Sequence, residues 1–314
     1  MSYISRVFDK RAAPILALVF VLLAIAGRKR QLRKRVQQQD ERLIVNGLVA
    51  VPAFGLLRFA FLPAMVNLAS RNKRFGAANI VKFPPVIRTI CVFLILDYGN
   101  YLWHVMNHKI PILWRFHLVH HTDLDLDTLT AVRFHFGEMI GSVFFRGLFV
   151  LLAGASLIEV LWYELIFEGA TQFHHSNLKM PYQFEKNLSK VVVTPRIHGI
   201  HHSINKHETD SNYSVIFSFW DRLHSTFRFY DNSSITIGVP SYRDKHEMTP
   251  AYLLRMPFKR IRGWEHHSTE EQNFMACDFH FKPKQGVDAI YDFAIKELVK
   301  FDATYKGDRN GGDF

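Results

Sequence analysis

Residues 103–121 read Trp103-His104-Val-Met-Asn-His108-Lys-Ile-Pro111-Ile-Leu-Trp-Arg-Phe-His117-Leu-Val-His120-His121. Downstream, Pro195-Arg-Ile-His198-Gly-Ile-His201-His202 repeats the second half of that pattern, and the pair His174-His175 stands between them. Of 17 histidines, 11 lie between Trp103 and Ser203. Side chains three and four residues apart share one face of a helix, so each triplet aims its imidazoles in one direction. Neutral imidazole is the commonest metal ligand and suits iron, zinc, copper and nickel. A lone histidine is more often structural. So many at ligand spacings, beside long apolar segments, point to two metal ions at a membrane surface.

Four apolar regions surround these motifs: Ala12–Gly27, Leu43 to about Leu68, Phe83 to Trp103, and about Met139 to Phe167. The first follows Lys10-Arg11 and ends in Arg28-Lys29-Arg30 and Arg33-Lys34-Arg35 rather than at a small-residue cleavage site. That flank reads as an anchor with a cytoplasmic basic side and not as a cleaved signal. The second contains Pro52 and Pro63, and the fourth Arg146 and Glu159, so each is expected to bend and to dip into one leaflet. Basic residues on both sides of the second region, at 28–35 and 71–74, suggest that it enters and returns.

The formal charge of +11 fits either a nucleic-acid binder or a protein on an anionic membrane. The adjoining apolar runs decide for the membrane and against nucleic acid. Cys91 and Cys277 follow no ligand spacing and give no disulfide framework. The expected fold is therefore all-α, an integral membrane helical protein with a cytoplasmic histidine-rich cap over a dimetal site. Three segments are expected: membrane anchors with basic flanks over 1–82, a membrane-embedded catalytic core over 83–230, and a polar, basic C-terminal extension over 231–314 with a frayed tail.

On a helix, Asp97, His104 and His108 fall within a stripe of about 40°. Metal-bound histidine usually passes its second N–H to a carboxylate or carbonyl, and Asp97 is a candidate for that role. The bland alternative pairs Asp97 with Arg88 or has it fill a packing defect. His207, Asn212 and Tyr213 are further candidates for bonds to the site imidazoles. His224, His246, His266, His267 and His280 follow no ligand spacing. Zinc peptidases place a glutamate between their paired histidines, whereas the intervening residues here are Leu118-Val119 and Gly199-Ile200. Spacing alone does not separate iron from zinc.

The set His104-x3-His108, His117-x2-His120-His121 and His198-x2-His201-His202 resembles the eight-histidine signature of the fatty acid hydroxylase/sterol desaturase superfamily. The likeness extends to Asp97-x6-His104, Leu113-Trp-Arg-Phe-His117, Ala131-Val-Arg-Phe-His135, His174-His175-Ser-Asn-Leu178, Val193-Thr-Pro-Arg196 and Asn212-Tyr213 with Trp220-Asp-Arg-Leu223. It covers roughly Phe83 to Phe229.

The resemblance implies a membrane-bound non-haem diiron oxygenase. Such an enzyme uses dioxygen and external electrons to hydroxylate, or less often desaturate, a lipid such as a sterol or fatty acyl chain. Carried over by position, His104, His108, His117, His120, His121, His198, His201 and His202 would hold two irons. His175 would be a ninth ligand, with His174 and His135 as further candidates. Thr171 stands where fatty acid 2-hydroxylases have a further histidine, so the subfamily stays open. No dinucleotide fingerprint, iron–sulfur cysteine cluster or haem motif is present. A ferredoxin or cytochrome b5-like donor with its reductase is expected, in a bacterial inner membrane or the endoplasmic reticulum. A zinc-dependent membrane hydrolase, or a non-catalytic lipid- or metal-binding membrane protein, are the alternatives. Zinc is also expected as an occupant of purified protein.

Overall fold

Continuous apolar sequence with few interior breakers folds here into long helices. The computed structural model describes residues 3–72, 74–231 and 233–264, which belong to one compact unit. Among them there are isolated β-bridges but no strands. The helices are α1 Tyr3–Lys29, α2 Gln39–Leu56, α3 Leu62–Arg71, α4 Ala77–Ile80, α5 Pro85–Lys109, α6 Pro111–His121, α7 Phe136–Ala153 and α8 Leu157–His175. Shorter ones follow: α9 Tyr182–Leu188, α10 Pro195–His201, α11 Lys206–Thr209, α12 Phe219–Leu223 and α13 Pro250–Arg255.

Among the described residues, four stretches are long and apolar enough to cross a membrane: Ala12–Lys29, Gln39–Arg71, Pro85–Lys109 and Phe136–Ala153. Their outward faces carry exposed Leu18, Leu22, Leu48, Val51, Phe59 and Phe144. An apolar face of that kind is stable in lipid and costly in water. This is a membrane protein built of helices.

The second apolar region does not double back as its prolines and flanking charges suggest. A π-helical turn, Leu57–Phe61, joins α2 to α3, and the Leu62 N–H reaches the Leu57 carbonyl five residues back. Pro63, which has no N–H to give, sits directly after that turn, so the helix absorbs it without reversing. The 33-residue run 39–71 is therefore one continuous helical path, and the basic residues at 28–35 and at 71–74 flank its opposite ends. The fourth region does reverse. Gly154, at φ 68°, ends α7 in a left-handed cap, and Ser156 with Glu159 forms a capping box that starts α8.

Helices α5 and α7 approach closely because Gly99 faces the Phe149 ring, which a Cβ at Gly99 would meet at 2.5 Å. The main apolar core, around Phe61, Met65, Val92, Leu96, Val150 and Tyr163, lies among α3, α5, α7 and α8. A smaller one joins α2, α6 and α13 through Val49, Leu118, Val119, Leu253 and Met256. Helices α6 and α10, with the loops beside them, close over the end of this bundle.

A buried polar network fixes that closure. Arg42 of α2 donates to both oxygens of Asp123 (3.1 and 2.8 Å) and to Asp127 (2.7 Å). Burial opposes the charge on Asp123, yet Arg42 and Arg133 beside it bring its carboxyl down to about 2. The loop leaving α6 is thereby held to the membrane helix α2. Residues 265–314, including His266, His267, Cys277 and His280, lie outside the described residues.

Candidate metal centre

The first histidine pair lies on the last turns of α5. Pro111 then starts α6, which carries His117, His120 and His121. The third triplet begins on α10, where Pro195 occupies the first turn and the Thr194 hydroxyl caps the Ile197 N–H. His175 ends α8. These elements converge, and nine imidazoles form two adjoining groups. His104, His108, His117, His121 and His201 make one, and His120, His175, His198 and His202 the other. Within each group the candidate ligand atoms lie within 4.8 Å of one another, and all nine residues are buried.

The triplets interleave. His117 and His121 go to the first group and His120 to the second, whereas His198 and His202 go to the second and His201 to the first. Each group thus takes an i, i+4 pair from one triplet and the middle histidine of the other. The His121 and His202 rings stack at 4.3 Å where the groups meet.

Ring tautomers follow from the partners. A carbonyl accepts only, so His104 Nδ1–H donates to the Tyr213 carbonyl (2.7 Å), His201 Nδ1–H to the Ser211 carbonyl (2.7 Å), and His175 Nδ1–H to the Thr171 carbonyl (2.8 Å). His117 Nδ1 lies 3.1 Å from Glu138 Oε1. Each of these leaves Nε2 with a bare lone pair turned inward. The Nε2 atoms of the second group face one another, at 3.0 Å for His120–His175, 2.9 Å for His175–His198 and 3.1 Å for His198–His202. In the first group His117 and His121 Nε2 stand 3.2 Å apart.

Lone pairs so placed repel unless a cation sits among them. Nitrogens about 2.1 Å from a common metal and at right angles stand about 3 Å apart, which is the spacing found. The residues therefore fit metal ions. Burial and then the neighbouring imidazoles hold His120, His121, His198, His201 and His202 well below the ordinary histidine range. Burial brings His175 down to about 3. They are neutral at physiological pH and ready to ligate.

Other residues singled out in the sequence lie elsewhere. His174 borders the second group, 4.1 Å from the His198 ring, but belongs to neither and donates Nδ1–H to the Val215 carbonyl (3.1 Å). His135 is committed at both nitrogens. Nδ1 accepts from Gly137 N–H at the start of α7, and Nε2–H donates to the Leu254 carbonyl. His207 is exposed on α11. Asp97 accepts from Trp220 Nε1–H (2.8 Å) and Phe217 N–H (3.3 Å), not from a site imidazole, and Arg88 pairs instead with Glu159. Asn212 bonds backbone at Ile197 and Arg228, and Tyr213 meets His104 through its carbonyl and packs its ring 5.2 Å from that of His108. Glu138, which the sequence reading passed over, orients His117 and also accepts from Asn107 Nδ2–H (3.3 Å). Its only local signal is an acid in the first turn of an apolar helix.

A cavity of about 90 Å3 opens beneath the histidines among α5, α7 and α8, with Trp103, Phe134, Met139, Phe167 and Val215 on its apolar side.

Membrane helices end beneath two adjoining, buried, all-imidazole groups, each able to hold a metal ion. Residues 89–226 match the fatty acid hydroxylase family, and that matched stretch contains all nine grouped histidines. An ornithine lipid hydroxylase of Rhizobium tropici is 30% identical over 159 residues, covering 50% of this chain and 47% of that protein. Human alkylglycerol monooxygenase is 28% identical over 148 residues (47% and 32%), and rat cholesterol 25-hydroxylase 26% over 167 (52% and 54%). The match thus spans from about a third to about half the length of these relatives. No solved structure matches the chain significantly.

Proposed function

We propose that this chain is a membrane-bound diiron oxygenase that hydroxylates an unactivated C–H bond of a lipid. The carrying observation is the pair of adjoining, buried, all-nitrogen groups directly over an apolar cavity. The relatives are lipid hydroxylases and monooxygenases by name, which supports the same chemistry here. Five imidazoles in one group exceed the four ligands of a structural zinc site and suit a metal of higher coordination, which favours iron.

Bound irons would supply the redox chemistry that divides dioxygen: R–H + O2 + 2 e− + 2 H+ gives R–OH + H2O. The chain's own residues do the rest. His104, His117, His175 and His201 are held in one tautomer by their Nδ1 partners, so the donor set needs no rearrangement to bind metal. The aromatic and aliphatic cavity wall receives an alkyl segment and excludes water from the reacting carbon. No carboxylate belongs to either group, so protons arrive through water. Electrons come from a separate ferredoxin or cytochrome b5-like protein.

The metal end is assigned to the cytoplasmic side. Gly27–Arg35 lies against residues 177–179 just after His175, through Lys179 N–H to the Arg30 carbonyl and Arg33 N–H to Asn177 Oδ1. Six basic residues in 28–35 stand at this end, against three in 71–74 at the other.

The test is lipid mass spectrometry of cells with and without the protein under labelled dioxygen, together with metal analysis of protein purified with its native metal. One labelled oxygen should enter a lipid, and His120→Ala or His201→Ala should abolish it. Unchanged lipids across the knockout and both variants would defeat the proposal, and zinc as the native metal would favour a hydrolase.

A further inference from the structure

A second cavity, about 470 Å3, lies between α1, the 54–62 turn region and α8, and shares no lining residue with the one beneath the histidines. Its walls are largely aliphatic and aromatic, including Leu16, Phe20, Phe54, Leu57 and Leu165. A volume in this range is that of a small-molecule site, and such walls select an alkyl chain. Two polar groups on α8 break the apolar lining: Glu168 and Gln172, one helical turn apart on one face. Gln172 is 9% exposed, and its Oε1 has no hydrogen-bond partner. Glu168 makes no hydrogen bond or ion pair with any described residue.

The charged neighbours are already spoken for. Glu164, also on the wall, takes Arg146 at 2.6 Å, and Arg146 lines the inner cavity, so this ion pair stands between the two spaces. Arg58 lines the outer cavity and has a partner of its own. What is left is a carboxylate without a direct partner beside the unpartnered Gln172 carbonyl oxygen. A half-buried carboxylate in an apolar wall that no described side chain bonds directly is costly, and within a membrane bundle it is by default a functional site.

We propose that this cavity binds a membrane amphiphile with one aliphatic chain and a primary ammonium head, the chain lying along α1 and the ammonium between Glu168 and Gln172. An ammonium supplies the donors both oxygens lack and cancels the excess charge. A hydroxyl would meet the first need only, and a carboxylate head would place a second anion beside Glu168. Gln172 precedes His175 by three residues, so the head sits about one helical turn from the second histidine group.

The test uses the full-length, metal-loaded protein in phosphatidylcholine nanodiscs with a diazirine-bearing long-chain alkylamine, and maps cross-links by mass spectrometry. Labels are expected on α1 and α8, displaced by dodecylamine but not by dodecanol or dodecanoate. Glu168→Gln should reduce labelling at least about tenfold, the loss expected when a charged hydrogen-bond partner is removed. Ala17→Trp narrows the cavity from an exposed position on α1 and should do the same, and metal content reports that each variant is folded. Labels elsewhere, equal displacement by dodecanol or dodecanoate, or full labelling of the folded variants would overturn the proposal.

Discussion

His104 and His201 come from helices far apart in the chain, yet they donate their Nδ1 protons to carbonyls two residues apart, those of Tyr213 and Ser211. Between those carbonyls stands Asn212, at φ 54°, whose side chain donates to the Ile197 and Arg228 carbonyls and accepts from Arg228 N–H. One left-handed residue therefore sets the direction of two imidazoles.

Asn212→Ala should weaken metal binding about 10–100-fold, the usual scale for losing a group that orients ligands. It also removes the short polar side chain that makes the left-handed region tolerable for asparagine, a region that costs other L-residues about 1–2 kcal/mol. Asn212→Gly keeps the backbone angle and loses only the side-chain bonds, so it should fall between Ala and wild type. Chelator competition on purified protein ranks the three. Equal affinities would show that this loop does not orient the histidines.

Glu138 holds His117 from outside the ligand set. Glu138→Gln retains an oxygen acceptor and Glu138→Ala none. Metal affinity should drop by roughly 10–100-fold for Ala and by clearly less for Gln. Titration of the metal-free variants with ferrous ion measures both.

The buried Arg42–Asp123 pair gives a prediction about stability. Removing Asp123 leaves Arg42 with Asp127 alone and takes the carboxylate from Arg133, which costs up to about 3–5 kcal/mol. Asp123→Asn should accordingly lower the thermal midpoint, and the double variant Arg42→Met/Asp123→Leu should recover part of the loss. A double variant no better than Asp123→Asn alone would indicate that the network adds more than charge.

Acid should unfold the metal-free protein in two stages. His175 is brought down to about 3 in the fold but titrates near 6.5 when unfolded. The unfolded chain therefore binds more protons between those values, and stability is lost as pH falls below about 6.5. Asp123, held near 2, adds a contribution that is complete above its unfolded value of about 3.9 and disappears as pH falls through 2. Bound metal should shift the first stage to lower pH, because ligation competes with protonation. Circular dichroism against pH, with and without metal, separates the stages.

The triplets were readable because i, i+3 and i+4 are geometric statements about a single helix. Which ion each member serves was not, because that depends on how α6 and α10 face each other. Asp97 shares a helical stripe with His104, but seven residues place it about 10 Å away along the axis, beyond contact. Its oxygen accepts instead from Phe217, on the loop that follows Tyr213, and from Trp220 of α12. Glu138 was invisible for the same reason: its partner lies 21 residues away on another helix. His135 looked like a ligand by motif, but it serves as the cap of α7. The bend expected in the second apolar region failed because a π-turn took up the proline.

The exchange of middle histidines between the two triplets has a consequence for assembly. Neither ion can be seated without drawing on both α6 and α10, so the first to arrive already locks the scaffold that the second needs. Loading should thus be cooperative, with half-filled molecules scarce during titration, and an injury to either helix should empty the whole centre at once.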